Sequence, residues 1–185
     1  MIEILRAHPS DFDAIEQIYT RVHDDEEKGL ATTGWIRGVY PIRETAEQAL
    51  KRDDLFVLKA EGRVVATGII NKIQVDVYKD IGWKHSVPDE KVMVLHTLAV
   101  DPLEKGKGYG KAFISFYEAY ARERRCRELR IDTNAINQRA RAMYQKLGYE
   151  ERGIVPCVFN GIPGVQLVCL EKYLDGGNER WTAEN

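Results

Sequence analysis

The chain has 185 residues, of which 44% are apolar and 30% charged, a composition typical of a soluble globular protein with one domain. The net charge of −2 argues against a dedicated nucleic-acid binder, because such proteins carry a basic excess. No apolar run approaches the roughly 18 residues of a membrane span, and the N-terminal residues lack the basic flank and apolar core of a secretory signal.

The first half of the chain predicts a strand, two helices and a hairpin. A short alternating strand begins at Ile2, and a helix opens at the capping-box pair Ser10 and Asp13 and ends in the acidic run 24–27. A loop over 29–43 and a short helix over 44–52 follow. Residues 55–60 and 63–73 predict two strands joined by a tight turn at 61–62.

The second half predicts strands that alternate with helices. Residues 92–100 are apolar on both faces, which is typical of a strand in the middle of a sheet. A helix follows a glycine-rich segment, then a strand over 128–133, a helix over 137–147 that Gly148 ends, and strands near 149–155 and 165–171. We expect a mixed α/β sheet in one domain over 1–174, with a polar insertion at 74–90 and a tail at 175–185.

Three cysteines, Cys126, Cys157 and Cys169, are odd in number and share no close spacing. A disulfide framework or a four-cysteine zinc site is therefore not expected, and no other metal-ligand pattern is present. We interpret the cysteines as reduced thiols of a cytoplasmic protein.

The most informative segment is a glycine loop between the strand at 92–100 and the next helix. Its sequence is Lys105-Gly106-Lys107-Gly108-Tyr109-Gly110-Lys111. Backbone N–H groups of such a loop, together with the N-terminus of a helix, bind anions, and glycines let phosphate oxygens approach the amides. A phosphate or pyrophosphate site is the direct inference, and the alternative is a turn that only caps the helix.

Two familiar phosphate-binding patterns fit this loop poorly. The P-loop requires Ser or Thr after its lysine, and here Ala112 follows Lys111. The dinucleotide fingerprint G-x-G-x-x-G requires glycine at position 111. The loop instead resembles the acetyl-coenzyme A loop of the GNAT acetyltransferase superfamily, Arg/Gln-x-x-Gly-x-Gly/Ala, with Lys105 at the first position.

A second block supports the resemblance: Asn137, Ala140, Tyr144 and the Gly148-Tyr149 pair occur in order and at the family's separation. The resemblance implies a central, mostly antiparallel sheet of six to seven strands, splayed between its fourth and fifth strands and flanked by about four helices. It further implies that acetyl-CoA is the co-substrate. The implied coenzyme-binding residues are Leu98, Val100, Lys105, Gly106, Lys107, Gly108, Gly110, Lys111, Asn137 and Tyr144.

The resemblance also implies the catalytic roles. The backbone N–H of Leu98 corresponds to the oxyanion donor, and the Tyr144 hydroxyl to the general acid that protonates the leaving thiolate. Asn137 is equally well explained as a helix N-cap. His96 is expected on the same face as Leu98, and Leu95-His96 resembles the arylalkylamine N-acetyltransferase branch, where a histidine here helps to deprotonate the amine. That branch has a second histidine where this chain has Val94.

We therefore expect an N-acetyltransferase that moves an acetyl group from acetyl-CoA to a primary amine, on a small molecule or a peptide, by direct attack in a ternary complex. The open alternatives are a noncatalytic acyl-CoA-binding sensor, a transferase of another acyl group, a protein-lysine acetyltransferase and a nucleotide-binding protein of another fold. No residue argues for or against a homodimer.

Charge is distributed unevenly along the chain. Residues 101–148 hold 11 Lys and Arg against 6 Asp and Glu, a net charge of +5, whereas the rest of the chain carries −7. The basic segment suits a polyanionic coenzyme, and the acidic remainder suits a cationic amine. Trp35, Tyr40 and Phe159 are candidate walls for that amine.

Overall fold

A seven-stranded mixed sheet runs through the molecule in the order β1-β2-β3-β4-β5-β7-β6. The computed structural model describes residues 1–175, so the predicted tail lies outside the described residues except for Asp175. The strands are β1 (Ile2–Arg6), β2 (Leu55–Ala60), β3 (Arg63–Asn71), β4 (Val92–Val100), β5 (Glu128–Asn134), β6 (Glu150–Phe159) and β7 (Ile162–Tyr173). The helices are α1 (Phe12–Glu27), α2 (Arg43–Lys51), α3 (Tyr109–Glu123) and α4 (Gln138–Lys146).

Helices cover both faces of the sheet. Apolar residues of α3 and α4, such as Phe113, Tyr117 and Tyr144, pack with one face, and Ile15 and Ile18 of α1 pack with α2 on the other. A third apolar cluster joins the 74–90 insertion to β4 and β7. No helix within residues 1–175 is long and apolar enough to cross a membrane.

The parallel pair β4–β5 separates halfway along its length. Its register runs from Val92–Glu128 to Leu95–Ile131 and stops there, whereas all other neighbouring strands are antiparallel. The backbone of β4 after Leu95 therefore has no partner on the β5 side. The predicted mixed α/β fold, with a splay between the fourth and fifth strands, is confirmed.

A β-bulge in β4 changes which side chains share a face. His96 pairs with Ile69 and Ala99 with Thr67, so β4 has one more residue here than β3. Thr97 lies inside the bulge with φ +50°, which is unfavourable for a β-branched residue. Val94 packs in the cluster of the insertion, whereas Leu98 and Val100 pack with α3. The prediction that His96 shares a face with Leu98 is therefore wrong.

Other local predictions also need correction. The cap before α1 uses His8 and Asp11 rather than Ser10 and Asp13, because a 3-10 turn at Pro9–Asp11 precedes the helix. Strands β6 and β7 are longer than expected and are joined at Asn160–Gly161, where φ values of 47° and 84° are those of a type I′ turn.

Candidate active site

A cavity of about 500 Å³ extends from the glycine loop at the start of α3 to the gap between β4 and β5. It brings together most of the residues that the sequence singled out. These are Leu98, Val100, Lys105, Gly106, Gly108, Gly110, Lys111, Asn137 and Tyr144. His96 and Lys107 do not line it. We call this space the first cavity.

The glycine loop has the backbone conformation that requires glycine. Gly106 and Gly108 have φ of +83° and +80°, and Gly108 is the N-cap of α3. A Cβ on Gly108 would have no neighbouring atom within 4 Å, so the space above it is open. The first turn of α3, whose N–H groups lack intrahelical acceptors, therefore starts directly at the first cavity.

Asp101 anchors the start of the glycine loop to helix α1. It is 6% exposed, accepts a hydrogen bond from the Leu103 N–H at 3.0 Å, and is bound by Arg21 through Nε at 2.8 Å and Nη2 at 2.7 Å. Such bidentate pairs combine charge with fixed geometry. The end of β4 is thereby anchored to α1 just before the glycines.

The three loop lysines have different surroundings. Lys105 pairs with Asp25, and Lys107 Nζ lies 2.5 Å from Glu104 Oε2, a contact that raises the lysine's pKa and lowers the glutamate's. Lys107 does not line the first cavity, but its partner Glu104 does, so the positive charge of Lys107 is already paired at the edge of this cavity. Lys111 lines the cavity and forms no ion pair within residues 1–175.

Helix α4 places one amide and one phenol at the first cavity. Asn137 is the N-cap of α4, and its Oδ1 accepts a hydrogen bond from the Ala140 N–H at 3.2 Å. The predicted role of Asn137 as a helix cap is therefore confirmed. Tyr144 is 5% exposed, and burial raises the pKa of its hydroxyl well above the usual value. The phenol therefore stays protonated at neutral pH, as a proton donor must.

A second cavity, of about 820 Å³, lies next to the first. Tyr40, Thr97, Asp132 and Phe159 line both, so the two cavities meet at these side chains. Tyr40 forms edge-to-face contacts with Trp35 and Phe159, with ring centroids 6.0 and 5.6 Å apart. The Tyr40 and Thr97 hydroxyls are hydrogen-bonded to each other.

His96 lines the second cavity. One ring nitrogen, Nε2, lies 3.0 Å from Asn71 Oδ1, and desolvation lowers the pKa of the imidazole to about 4. A histidine with such a pKa is neutral at pH 7 but is a weak base. Its predicted role as the base stays a prediction.

Asp132 is the functional candidate that the sequence interpretation missed. Tyr78, from the insertion, donates a hydrogen bond from its hydroxyl to Asp132 Oδ2 at 2.6 Å, and enclosure by the protein raises the pKa of this carboxyl to about 6. A signal was present, since Asp132 continues the alternating polar positions Glu128 and Arg130 of an otherwise apolar strand. Only the tertiary structure places it between two cavities.

The acidic run at the end of α1 organises the loop above the cavities. The Glu26 carboxylate accepts hydrogen bonds from the Thr33 and Gly34 N–H groups at 2.8 and 2.9 Å, and Arg37 binds both Asp24 and Glu27. The carboxylates of Asp24, Glu26 and Glu27 therefore already have hydrogen-bond or salt-bridge partners within the protein. They hold the 29–43 loop over the end of β5 and are not a docking point for a ligand cation.

Comparison with known proteins identifies a family. The model of the Acetyltransferase (GNAT) family matches residues 13–149, more than half of the chain. An uncharacterized N-acetyltransferase of Methanocaldococcus jannaschii is 30% identical over 108 residues, which are 57% of this chain and 44% of that protein. The match thus spans less than half of that curated relative.

Solved structures share the fold at low sequence identity. A GNAT-family acetyltransferase of Streptococcus agalactiae superposes with a TM-score of 0.79 at 20% identity, covering 95% of this chain and 96% of that one. The ribosomal-protein-S18-alanine N-acetyltransferase of Escherichia coli gives a TM-score of 0.67 at 19% identity, covering 97% and 98% of the two chains. At these identities the likeness concerns the fold alone.

Proposed function

Because the chain belongs to the GNAT acetyltransferase family, we propose that it transfers the acetyl group of acetyl-CoA to a primary amine by direct attack in a ternary complex. One observation carries the proposal. The β4–β5 pairing stops at Leu95–Ile131, and beside this gap the cavity of the glycine loop meets a second cavity. Two substrates, one in each cavity, can meet there, and such alignment lowers the barrier of a bimolecular reaction substantially.

The first cavity is proposed to hold the coenzyme. The backbone amides around Gly106 and Gly108, with the helix N-terminus, would bind the pyrophosphate, and Lys111 would add positive charge. The β4 backbone at Leu98 and Val100, which has no partner on the β5 side, would bind the pantetheine amides. Lys107 is omitted from this proposal because Glu104 holds it.

Leu98 and Tyr144 are proposed to serve the reacting thioester. The Leu98 N–H lies in the part of β4 without a β5 partner, and it would donate to the oxyanion of the tetrahedral intermediate. Tyr144 would give its hydroxyl proton to the coenzyme sulfur as the carbon–sulfur bond breaks. Its raised pKa keeps the hydroxyl protonated at neutral pH, so the proton is present when negative charge develops on the sulfur.

The acceptor is proposed to be a small primary amine bound in the second cavity. A volume of about 820 Å³ is within the range of small-molecule sites. Tyr40 and Phe159 supply apolar and aromatic surface where the cavities meet, and this surface suits an amine with an aliphatic or aromatic body.

The test is thiol release from acetyl-CoA with a panel of primary amines, comparing the wild type with Tyr144→Phe. We expect amine-dependent release, and a fall in kcat of about 100-fold in the variant with unchanged coenzyme affinity. Tight coenzyme binding without amine-dependent release would contradict the proposed activity and favour a binding module. Unchanged turnover in Tyr144→Phe would remove the general acid alone.

A further inference from the structure

Asp132 has no cationic partner among the residues that the structure describes. Its carboxylate forms no ion pair within residues 1–175, and its one side-chain hydrogen bond there comes from the Tyr78 hydroxyl. The side chain is only partly buried and lines both cavities. An enclosed carboxylate is normally paired with a positive group. Here the carboxylate faces the two cavities, where a bound ligand could supply the positive group.

The titratable groups around Asp132 within residues 1–175 do not supply a positive charge. The titratable side chains that interact with it are Tyr78 from the insertion, Tyr40 from the 29–43 loop, Tyr144 from α4, Cys157 from β6 and Cys169 from β7. The pKa values of all five are raised, so none carries a charge at neutral pH.

We propose that Asp132 is the catalytic base of the reaction: it binds the ammonium group of a cationic primary amine in the second cavity and takes one of its protons. This inference rests on the proposed function. It identifies the acceptor as an amine that is protonated in solution, and it assigns the base to Asp132 in place of His96. The Asp132 carboxylate lines both cavities, whereas His96 lines only the second and is held at Asn71.

The protons balance over one turnover. The ammonium gives its first proton to the Asp132 carboxylate, and the freed nitrogen lone pair forms the bond to the acetyl carbon. As the carbon–sulfur bond breaks, the sulfur takes the Tyr144 hydroxyl proton, and the nitrogen passes its second proton to the tyrosinate. Asp132 releases its proton to water when the amide leaves, so the products are the amide, the coenzyme thiol and one proton.

Tyr78, from the insertion at 74–90, positions the Asp132 carboxylate. Tyr78 is 2% exposed, its backbone carbonyl accepts a hydrogen bond from Trp83 Nε1 at 2.8 Å, and the two rings pack edge to face at 5.2 Å. Its hydroxyl is thus fixed on Asp132. Tyr78 is a positioning residue, and its hydrogen bond favours the ionised carboxylate that must accept the proton.

Asp132→Asn is the first test, because it keeps the shape and the acceptor for Tyr78 but cannot take a proton. We expect kcat/KM for amines such as 2-phenylethylamine or spermidine to fall about 100-fold or more, with unchanged acetyl-CoA affinity by calorimetry. The matched control is Asp80→Asn. Asp80 is an exposed carboxylate of the 74–90 insertion, near Tyr78 in sequence, and it lines neither cavity, so its loss should leave the rate within about twofold.

Tyr78→Phe is the second test and keeps the inference decidable if Asp132→Asn does not fold. The rate should fall on the acid side with the titration of Asp132, near pH 6 in the wild type. Removing the Tyr78 hydrogen bond raises the pKa of Asp132, so this limb should move to higher pH while the plateau rate is largely kept. A merely structural tyrosine would lower the rate without moving the limb.

The outcomes separate the two proposals. A wild type that acetylates no amine of the panel overturns the proposed function and the base together. An active wild type whose rate changes less than threefold in Asp132→Asn, or whose acid limb stays in place in Tyr78→Phe, overturns the role of Asp132 and leaves the proposed function intact.

Discussion

The conformation of Gly108 allows coenzyme binding to be separated from folding. The residue lies at φ +80° and ψ 9°, a left-handed conformation that costs a residue with a Cβ about 1–2 kcal/mol. A Cβ there meets no atom within 4 Å, so Gly108→Ala adds no clash to this cost. For a domain of this size the melting temperature should fall by roughly 2–4 °C for each kcal/mol.

The same change has a matched control elsewhere in the chain. Gly62, in the β2–β3 turn, has φ +77°, and a Cβ on it would also meet no atom within 4 Å. It does not line either cavity. Gly62→Ala should therefore cost a similar unfolding free energy and leave the coenzyme site unchanged.

The assay is acetyl-CoA binding by titration calorimetry, together with thermal melting of both variants. We expect Gly108→Ala to weaken binding by about tenfold or more, because its methyl group occupies space where phosphate oxygens would approach the amides. Gly62→Ala should bind as the wild type does. Equal affinity in both variants would refute the assignment of the loop, and an equal loss in both would show that the effect is one of stability.

Two predictions concern stability. Asp101→Asn breaks the bidentate contact with Arg21 and should lower the unfolding free energy by about 2 kcal/mol, whereas Asp13→Asn, which alters an exposed pair with Arg43, should change it by less than about 0.5 kcal/mol. Equal denaturation midpoints of the two variants would contradict this reasoning. Glu128 is fully buried close to Glu171, and burial raises its pKa from 4.5 to about 8. Between these pH values the native state holds a proton on Glu128 that the unfolded chain has released. The free energy of unfolding should therefore fall as the pH rises from about 4.5 to about 8. Glu128→Gln should therefore melt close to the wild type near about pH 5 and at a higher temperature near about pH 9, and the same difference at both pH values would exclude this linkage.

The sequence determined the secondary-structure elements and the position of the glycine loop because these depend on local patterns. Apolar periodicity marked α1 and α3, and the Glu61–Gly62 pair marked the β2–β3 turn. Gly106 and Gly108 adopt conformations that other residues resist, so the composition of the loop already indicates an unusual backbone there. The second block, from Asn137 to Gly148-Tyr149, then narrowed the possible families to the GNAT acetyltransferases.

Only the tertiary structure shows which residues surround the second cavity. The bulge at Thr97 reverses the alternation along β4 and separates His96 from Leu98, and no period-two pattern reveals an inserted residue. Asp132 meets Tyr78 across 54 positions of sequence, a contact that depends on how the insertion packs on the sheet. The near-neutral charge of the whole chain likewise does not reveal that Asp132 forms no ion pair within residues 1–175. The role proposed for Asp132 rests on its surroundings, because an enclosed charge without a partner is costly unless a ligand supplies one.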